Sequence, residues 1–167
     1  FPDLGLAGVG VVAIDEARAN AFSITNNTIS DQLIGVAALG LGDAKLKNGI
    51  IADNTIDYGV AGIVGASIYD SAMNNLLIMD NDLTGVGINF PGGGLPIGPV
   101  TLFGDKALAG VGLLAYDGKT KDATIVGNTI TNNDYGIAVL EDGGNNSGLT
   151  TAGNTFSNNT EDELINP

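Results

Sequence analysis

Two aspartates flank an asparagine in Asp80-Asn81-Asp82. On one strand their carboxylates would share a face. Such a pair could hold Ca²⁺ or do acid–base work on a sugar. The competing reading puts these residues in turns or on a solvated outer face, where Asp is favoured. Asp57 and Asp134 recur in one local setting, Asp-Tyr-Gly. Tyr58 and Tyr135 thereby become candidate glycan platforms, with Tyr69 and Tyr116 as further exposed candidates; against this stands the reading that tyrosines merely cover edges. Lyase chemistry also needs a base. Arg18, Lys45, Lys47, Lys106, Lys119 and Lys121 are the only cations, and none recurs beside an Asp cluster at a repeat spacing. With no His and no Cys, imidazole catalysis, imidazole zinc sites and thiolate sites are excluded. Met73 and Met79 are too few for a copper site and are expected to fill core gaps. No catalytic residue is assigned, no cofactor is expected, and Ca²⁺ at Asp80 and Asp82 is the weak metal candidate.

Nineteen acidic residues against six basic ones give the 167-residue chain a formal net charge of −13. That surface is a poor partner for nucleic acid, whose phosphates need Lys and Arg. No run of ~20 apolar residues is present, so no membrane insertion is expected. The hydrophobic fraction, 44%, is enough for a core, and the length fits one domain, residues 1–167. The chain opens at Phe1 without Met, as a processed export product or an excised domain would. An extracellular or cell-surface location is expected. Sequons at Asn26, Asn145 and Asn158 are candidate N-glycosylation sites, although an Asn- and Thr-rich chain yields several by chance.

What must position these groups is a repeat. One motif recurs as Ile24-Thr25-Asn26-Asn27-Thr28-Ile29, Ile51-Ala52-Asp53-Asn54-Thr55-Ile56, Ile78-Met79-Asp80-Asn81-Asp82-Leu83, Ile125-Val126-Gly127-Asn128-Thr129-Ile130 and Thr151-Ala152-Gly153-Asn154-Thr155-Phe156. The asparagines are 27, 27, 47 and 26 residues apart. The long interval splits if Leu102-Phe103-Gly104-Asp105-Lys106-Ala107 is a degenerate copy with Asp105 in the Asn place. A second series, Gly followed by β-formers, begins at Gly10, Gly35, Gly59, Gly87, Gly112 and Gly136, with spacings of 25, 24, 28, 25 and 24. Its members fall on both sides of Asp105, which supports the split.

Apolar residues alternate over short windows, as in Val9, Val11 and Ala13, a period of 2 rather than 3.6. Val, Ile and Thr suit strands, and Gly and Asn interrupt them. The period therefore predicts an all-β solenoid of about six turns, each of roughly 25 residues, stacked at the ~4.8 Å strand spacing. The expected inward columns are Ile24, Ile51, Ile78, Leu102, Ile125; then Ile29, Ile56, Leu83, Ile130, Phe156; then Val36, Val60, Ile88, Leu113, Ile137. Asn27, Asn54, Asn81, Asp105, Asn128 and Asn154 are predicted to stack as a hydrogen-bonded ladder, because the amide both donates and accepts and Asn tolerates the left-handed backbone. The ladder should weaken at Asp105, which has no donor when ionised. Thr28, Thr55, Thr129 and Thr155 form an outward file beside it.

The repeated Asn-Thr-Ile and Gly-Ile/Val patterns resemble the right-handed parallel β-helix repeats of the pectate-lyase-like superfamily, over about Ala7 to Phe156. Handedness follows from the resemblance. The superfamily includes polysaccharide lyases, hydrolases, epimerases, tailspikes and passive surface segments, and its familiar catalytic signatures are absent here.

Three segments interrupt the pattern: Pro91–Pro99 and Glu141–Gly148 read as loops, and Ile14–Asn20 as a short helical turn. Stacked strands need caps, since open ends expose unpaired N–H and C=O groups. The chain is thus a segment of a longer β-helix, a subunit whose ends pair with copies of itself, or a rod capped by loops. The expected function is a non-catalytic structural β-helix, a spacer or a self-assembling filament or surface unit. The alternative is a carbohydrate-binding or carbohydrate-processing domain with a polysaccharide partner.

Overall fold

The computed structural model describes residues 5–87, 95–97, 100–102 and 106–165, the two short pieces as backbone. Among the described residues there is no helix, and so none long and apolar enough to cross a membrane. The chain winds into about five turns, close to the six that the period predicts, and every turn lies parallel to its neighbours.

Each full turn carries two three-residue strands and one longer stretch. The first short sheet stacks Arg18–Asn20, Lys45–Lys47, Ala72–Asn74, Lys119–Lys121 and Asn145–Ser147. The second stacks Ser23–Thr25, Ile50–Ala52, Leu77–Met79, Thr124–Val126 and Thr150–Ala152. The third, broad sheet has nine strands, including Gly5–Ile14, Thr28–Leu41, Thr55–Ile68, Ala107–Tyr116, Asn133–Asp142 and Glu161–Ile165. With two-residue alternation, the middle residue of each short strand points inward. Ile24, Ile51, Ile78 and Ile125 therefore form one buried column, continued by Thr151. Ile29, Ile56, Leu83, Ile130 and Phe156 form the next. Each wholly buried Ile or Leu contributes roughly 1.5–3 kcal/mol.

The third column differs from expectation. Val36 pairs with Ile63, Val111 and Ile137, all fully buried, while Val60 is only half-buried and Leu113 belongs to the column of Ala38 and Val139. Ile88 lies outside the described residues. A bend in the broad sheet causes the shift. Its core side is lined by Gly8, Gly35, Gly62, Gly110 and Gly136, of which only Gly35 and Gly136 belong to the predicted series. A Cβ at Gly136 would sit 2.6 Å from the Phe156 ring.

Asp82–Gly85 pairs directly with both Thr55–Ile68 and Thr129–Thr131. The 47-residue interval is therefore one turn with an excursion, which leaves after Gly87 and returns at Lys106. Leu102 is not in the Ile column; Val100–Leu102 pairs antiparallel with Leu95–Ile97. The two other suspected interruptions are regular. Arg18–Asn20 and Asn145–Ser147 are strands of the first short sheet, preceded by corners at Asp15 and Gly143.

Three corners recur in the left-handed backbone region: Asp15, Gly42, Tyr69, Asp117, Gly143; then Ala21, Asn48, Asn75, Asp122, Gly148; then Asn26, Asp53, Asp80, Gly127, Gly153. Corner N–H groups donate to carbonyls one turn on, as from Asp15 to Leu41, Ala21 to Lys47 and Asn26 to Ala52. Asn, Asp and Gly tolerate this conformation, but Ala21 at φ 57° and Tyr69 at φ 52° do not. Ala21→Gly should raise stability by roughly 0.5–1 kcal/mol, read as a higher urea midpoint with an unchanged slope. Gly127→Ala should lower it, because the Asp80 carboxylate occupies the place its Cβ would take.

Candidate functional site

The ladder asparagines follow the third corner and do not themselves adopt the left-handed conformation; Asn26, Asp53, Asp80, Gly127 and Gly153 before them do. This frees each amide to turn inward. Asn54 donates from both its backbone N–H (3.0 Å) and its Nδ2 (2.9 Å) to Asn81 Oδ1. Asn81 repeats both bonds to Asn128 Oδ1, at 3.0 and 2.9 Å, and Asn128 repeats them to Asn154. Asn27 starts the series on Asn54. The Nδ2 groups of Asn54, Asn81 and Asn128 also reach back one turn to the carbonyls of Ile24, Ile51 and Ile78. Because Asn81 bonds Asn128 directly, no place remains between them for Asp105, which lies outside the described residues. An acceptor-only carboxylate could not have passed the bonds on.

Tyr58 is not a surface platform. It is fully buried, and its hydroxyl donates to Asn133 Oδ1 at 2.8 Å. Burial pushes its phenol well above the usual tyrosine value; the hydrogen bond to Asn133 opposes this and the nearby Asp57 charge adds to it. Tyr135 stands in a different place despite the shared Asp-Tyr-Gly. It pairs, through Ala109, with the row of Ala61 rather than of Tyr58. The distance from the inward isoleucine decides this: Tyr58 follows Ile56 by two residues, while Tyr135 follows Ile130 by five. Tyr135 is half-buried and lines an apolar cavity of about 310 Å³ with Val64, Leu114, Leu140 and Leu164.

Asp80 occupies a corner and Asp82 begins the following strand, so the two are not neighbours on one strand face. Both are exposed, and Asp82 stands in the outward file of Thr28, Thr55, Thr129 and Thr155. Among the described residues no three carboxylates converge as a metal site would require. Met73 is core, whereas Met79 is half-buried on an outward strand position. The sequon asparagines Asn26, Asn145 and Asn158 are all exposed, but Asn158 Nδ2 already donates to Asn132 Oδ1 at 2.8 Å.

The strongest concentration of surface chemistry lies on the first short sheet. Five of the six basic residues point outward from it: Arg18, Lys45 and Lys119 in one column, Lys47 and Lys121 in the next. Along one margin run Glu16, Asp43, Asp70 and Asp117. A cavity of about 620 Å³ is lined by Glu16, Arg18, Asp43, Lys45 and Asp70. A second, of about 440 Å³, shares Asp70 and continues past Tyr69, Asp117, Lys119 and Asn145. Together they form a groove along the rod axis. The Tyr69 and Tyr116 rings meet edge to face beside it, with centroids 5.4 Å apart. Lys121 pairs with Asp122 at 3.9 Å, both well exposed, which contributes little. Lys45 and Lys47, like Lys119 and Lys121, are close in the chain, but 74 residues separate the two pairs and their columns form only when turns are aligned, so the sequence alone does not show the face.

A family model described as a right-handed β-helix region matches residues 5–162. The chain belongs to that family. The handedness and fold implied by the resemblance therefore stand. A comparison with curated proteins finds no match. Among solved structures, the mannuronan C-5 epimerase AlgE4 A-module of Azotobacter vinelandii is similar, with 14% identity and a TM-score of 0.33. The alignment covers 98% of this chain and 56% of that one, so the chain spans little more than half of its length.

This β-helix also holds a second, shorter ladder that the sequence reading did not single out. Asn133 donates from its N–H (2.9 Å) and Nδ2 (3.2 Å) to Asn159 Oδ1, repeating the main ladder's geometry. The signal was the pair of Asn-Asn doublets at 132–133 and 158–159, spaced like one turn.

Asn81→Ala should cost about 3 kcal/mol or more, because it strands two buried donors of Asn54; Asn27→Ala, which removes donors but no acceptor in use, should cost about 1 kcal/mol. Urea unfolding of both variants measures the difference. Stability should fall as pH rises above about 10, where the unfolded phenol ionises while native Tyr58 keeps its proton. Tyr58→Phe should flatten that part of the pH profile and leave Asn133 Oδ1 short of a donor, at about 1–2 kcal/mol.

Proposed function

We propose that the chain is a non-catalytic structural β-helix of an extracellular or cell-surface protein, a rigid spacer or self-associating unit. One observation carries this reading: among the described residues the wholly buried polar side chains are engaged in holding the stack, and the half-buried Asn146 leaves one covered Oδ1 without a partner. Asn54, Asn81, Asn128 and Asn133 bond along the ladders, Ser71 donates to the Gly40 carbonyl, Ser67 meets Thr120, and Tyr58 caps Asn133. A catalytic centre would aim such groups at open space. Most carboxylates instead are exposed, at corners and margins or on strands, as at Asp57, Asp82 and Glu161, with Asp134 and Glu141 half-buried. Acidic composition and three exposed sequons support an extracellular placement. The test is turnover of a panel of polysaccharides, including polyuronates, with Ca²⁺ present. No product is expected; cleavage or epimerisation abolished by Asp80→Ala or Asp82→Ala would overturn the reading.

The basic face favours a second reading, binding of a polysaccharide without chemistry. Cations beside a row of carboxylates and a tyrosine edge suit a chain of hydroxyls and carboxylates laid along the rod. The triple change Arg18→Ala, Lys45→Ala, Lys119→Ala should abolish salt-sensitive retardation in affinity electrophoresis through an acidic glycan, while leaving the urea midpoint within about 0.5 kcal/mol of wild type. Equal mobility of the two proteins in glycan-loaded gels would remove this reading.

A further inference from the structure

The outer surface of the broad sheet is apolar where a solvated sheet should alternate to polar residues. Beyond the bend, its outward columns run Gly10, Ala37, Val64, Gly112, Ala138, Leu164, and Val12, Leu39, Ala66, Leu114, Leu140, with Ile14, Leu41, Ile68 and Tyr116 in a third. None of these positions is charged, in a chain with 25 charged residues. Val12 and Ile14 are each 54% exposed and Leu140 39%. The half-buried Val64, Leu114 and Leu164 border the 310 Å³ cavity. No strand of the two short sheets covers this side.

We propose that this face is the contact between two copies of the chain, packed sheet on sheet about a two-fold axis. Charge selects the occupant's approach. At −13, two copies repel through every acidic corner and margin; this surface lets them meet away from opposing carboxylates, and it is wider than the other uncharged face among the described residues, the two outward columns of the second short sheet. Area fits as well. Fifteen positions, at ~4.8 Å between strands and ~6.8 Å between columns, span roughly 500 Å², or about 1,000 Å² for the pair, the low end for a specific interface, and the exposed Asp142 bounds the third column. A twisted sheet presents a surface that packs on its own copy at about 30°, as in β-sandwiches. The contact is isologous and closes at two copies. It deepens the self-associating part of the proposed function, but its failure leaves the non-catalytic reading intact, since that is tested by turnover.

The experiment is mass determination by sedimentation over a range of protein concentrations, with Leu114→Lys and Leu140→Lys beside wild type and Thr129→Lys as a control on another face. Wild type and Thr129→Lys should be dimers. The two leucine variants should dissociate about thirtyfold or more readily, with unchanged far-ultraviolet circular dichroism. Hydroxyl-radical oxidation of Tyr116 and Leu140 in wild type should fall as concentration rises, which tests the interface without any substitution. A wild-type monomer at all concentrations, an open-ended polymer, a dimer indifferent to both leucine changes, or oxidation independent of concentration would each overturn the proposal.

Discussion

A ladder asparagine solves a problem that every turn of the rod faces at its tightest corner. There the chain reverses direction beside the core, and backbone N–H groups have no water to bond. One Oδ1 receives two donors from the turn before, while its own Nδ2 and N–H bind the turn after. An unpaired buried donor costs about 1–3 kcal/mol, so each rung is held to its neighbours much more tightly than a surface pair would hold it. Fixed rungs keep the isoleucines above one another. The aligned columns form a continuous core that no isolated turn of this length could bury.

The same constraint explains how the protein tolerates an insertion. The excursion after Gly87 interrupts the broad sheet in mid-turn, yet Asn81 and Asn128 meet across it at the ordinary 3.0 Å. Tyr58 stabilises the interrupted place from within. Its hydroxyl reaches Asn133 from the turn before the interruption, and Gly85 leaves room where a Cβ would press on Ala107. The ring is long enough to bridge two turns, and its polar end finds one of the few acceptors there. Its raised pKa is a consequence of that placement and carries no sign of catalysis.

The columns of Ile24, Ile51, Ile78 and Ile125 and the five true ladder asparagines were legible in the sequence because one residue type recurs at nearly one spacing. The broad sheet was harder to read. Its bend lets two neighbouring residues face the core, as around Gly110 and Val111, and strict alternation then predicts the wrong glycines and Val60 instead of Ile63. Asp105 was misleading because two periods fit 47 residues nearly as well as one period plus an excursion. Tyr58 and Tyr135 share a tripeptide but not a distance from the inward isoleucine, and only the latter fixes direction. The basic face and the apolar outer sheet needed the register. No single segment carries more than two or three of their residues, and the rest meet only across turns.

One detail of the corners bears on how such a rod can change over time. Asp15, Asp80, Asp117 and Asp122 each lean a carboxylate over the corner of the following turn, and in each case that following residue is a glycine: Gly42, Gly127, Gly143 and Gly148. Turns are therefore not interchangeable modules. A turn that carries one of these glycines could not be exchanged for one that carries a side chain there, whereas at the third corner Asn26, Asp53 and Asp80 stack without any glycine. The rod's length is thus free to change at some junctions and held at others, which gives a nominally repetitive molecule a partly fixed order of parts.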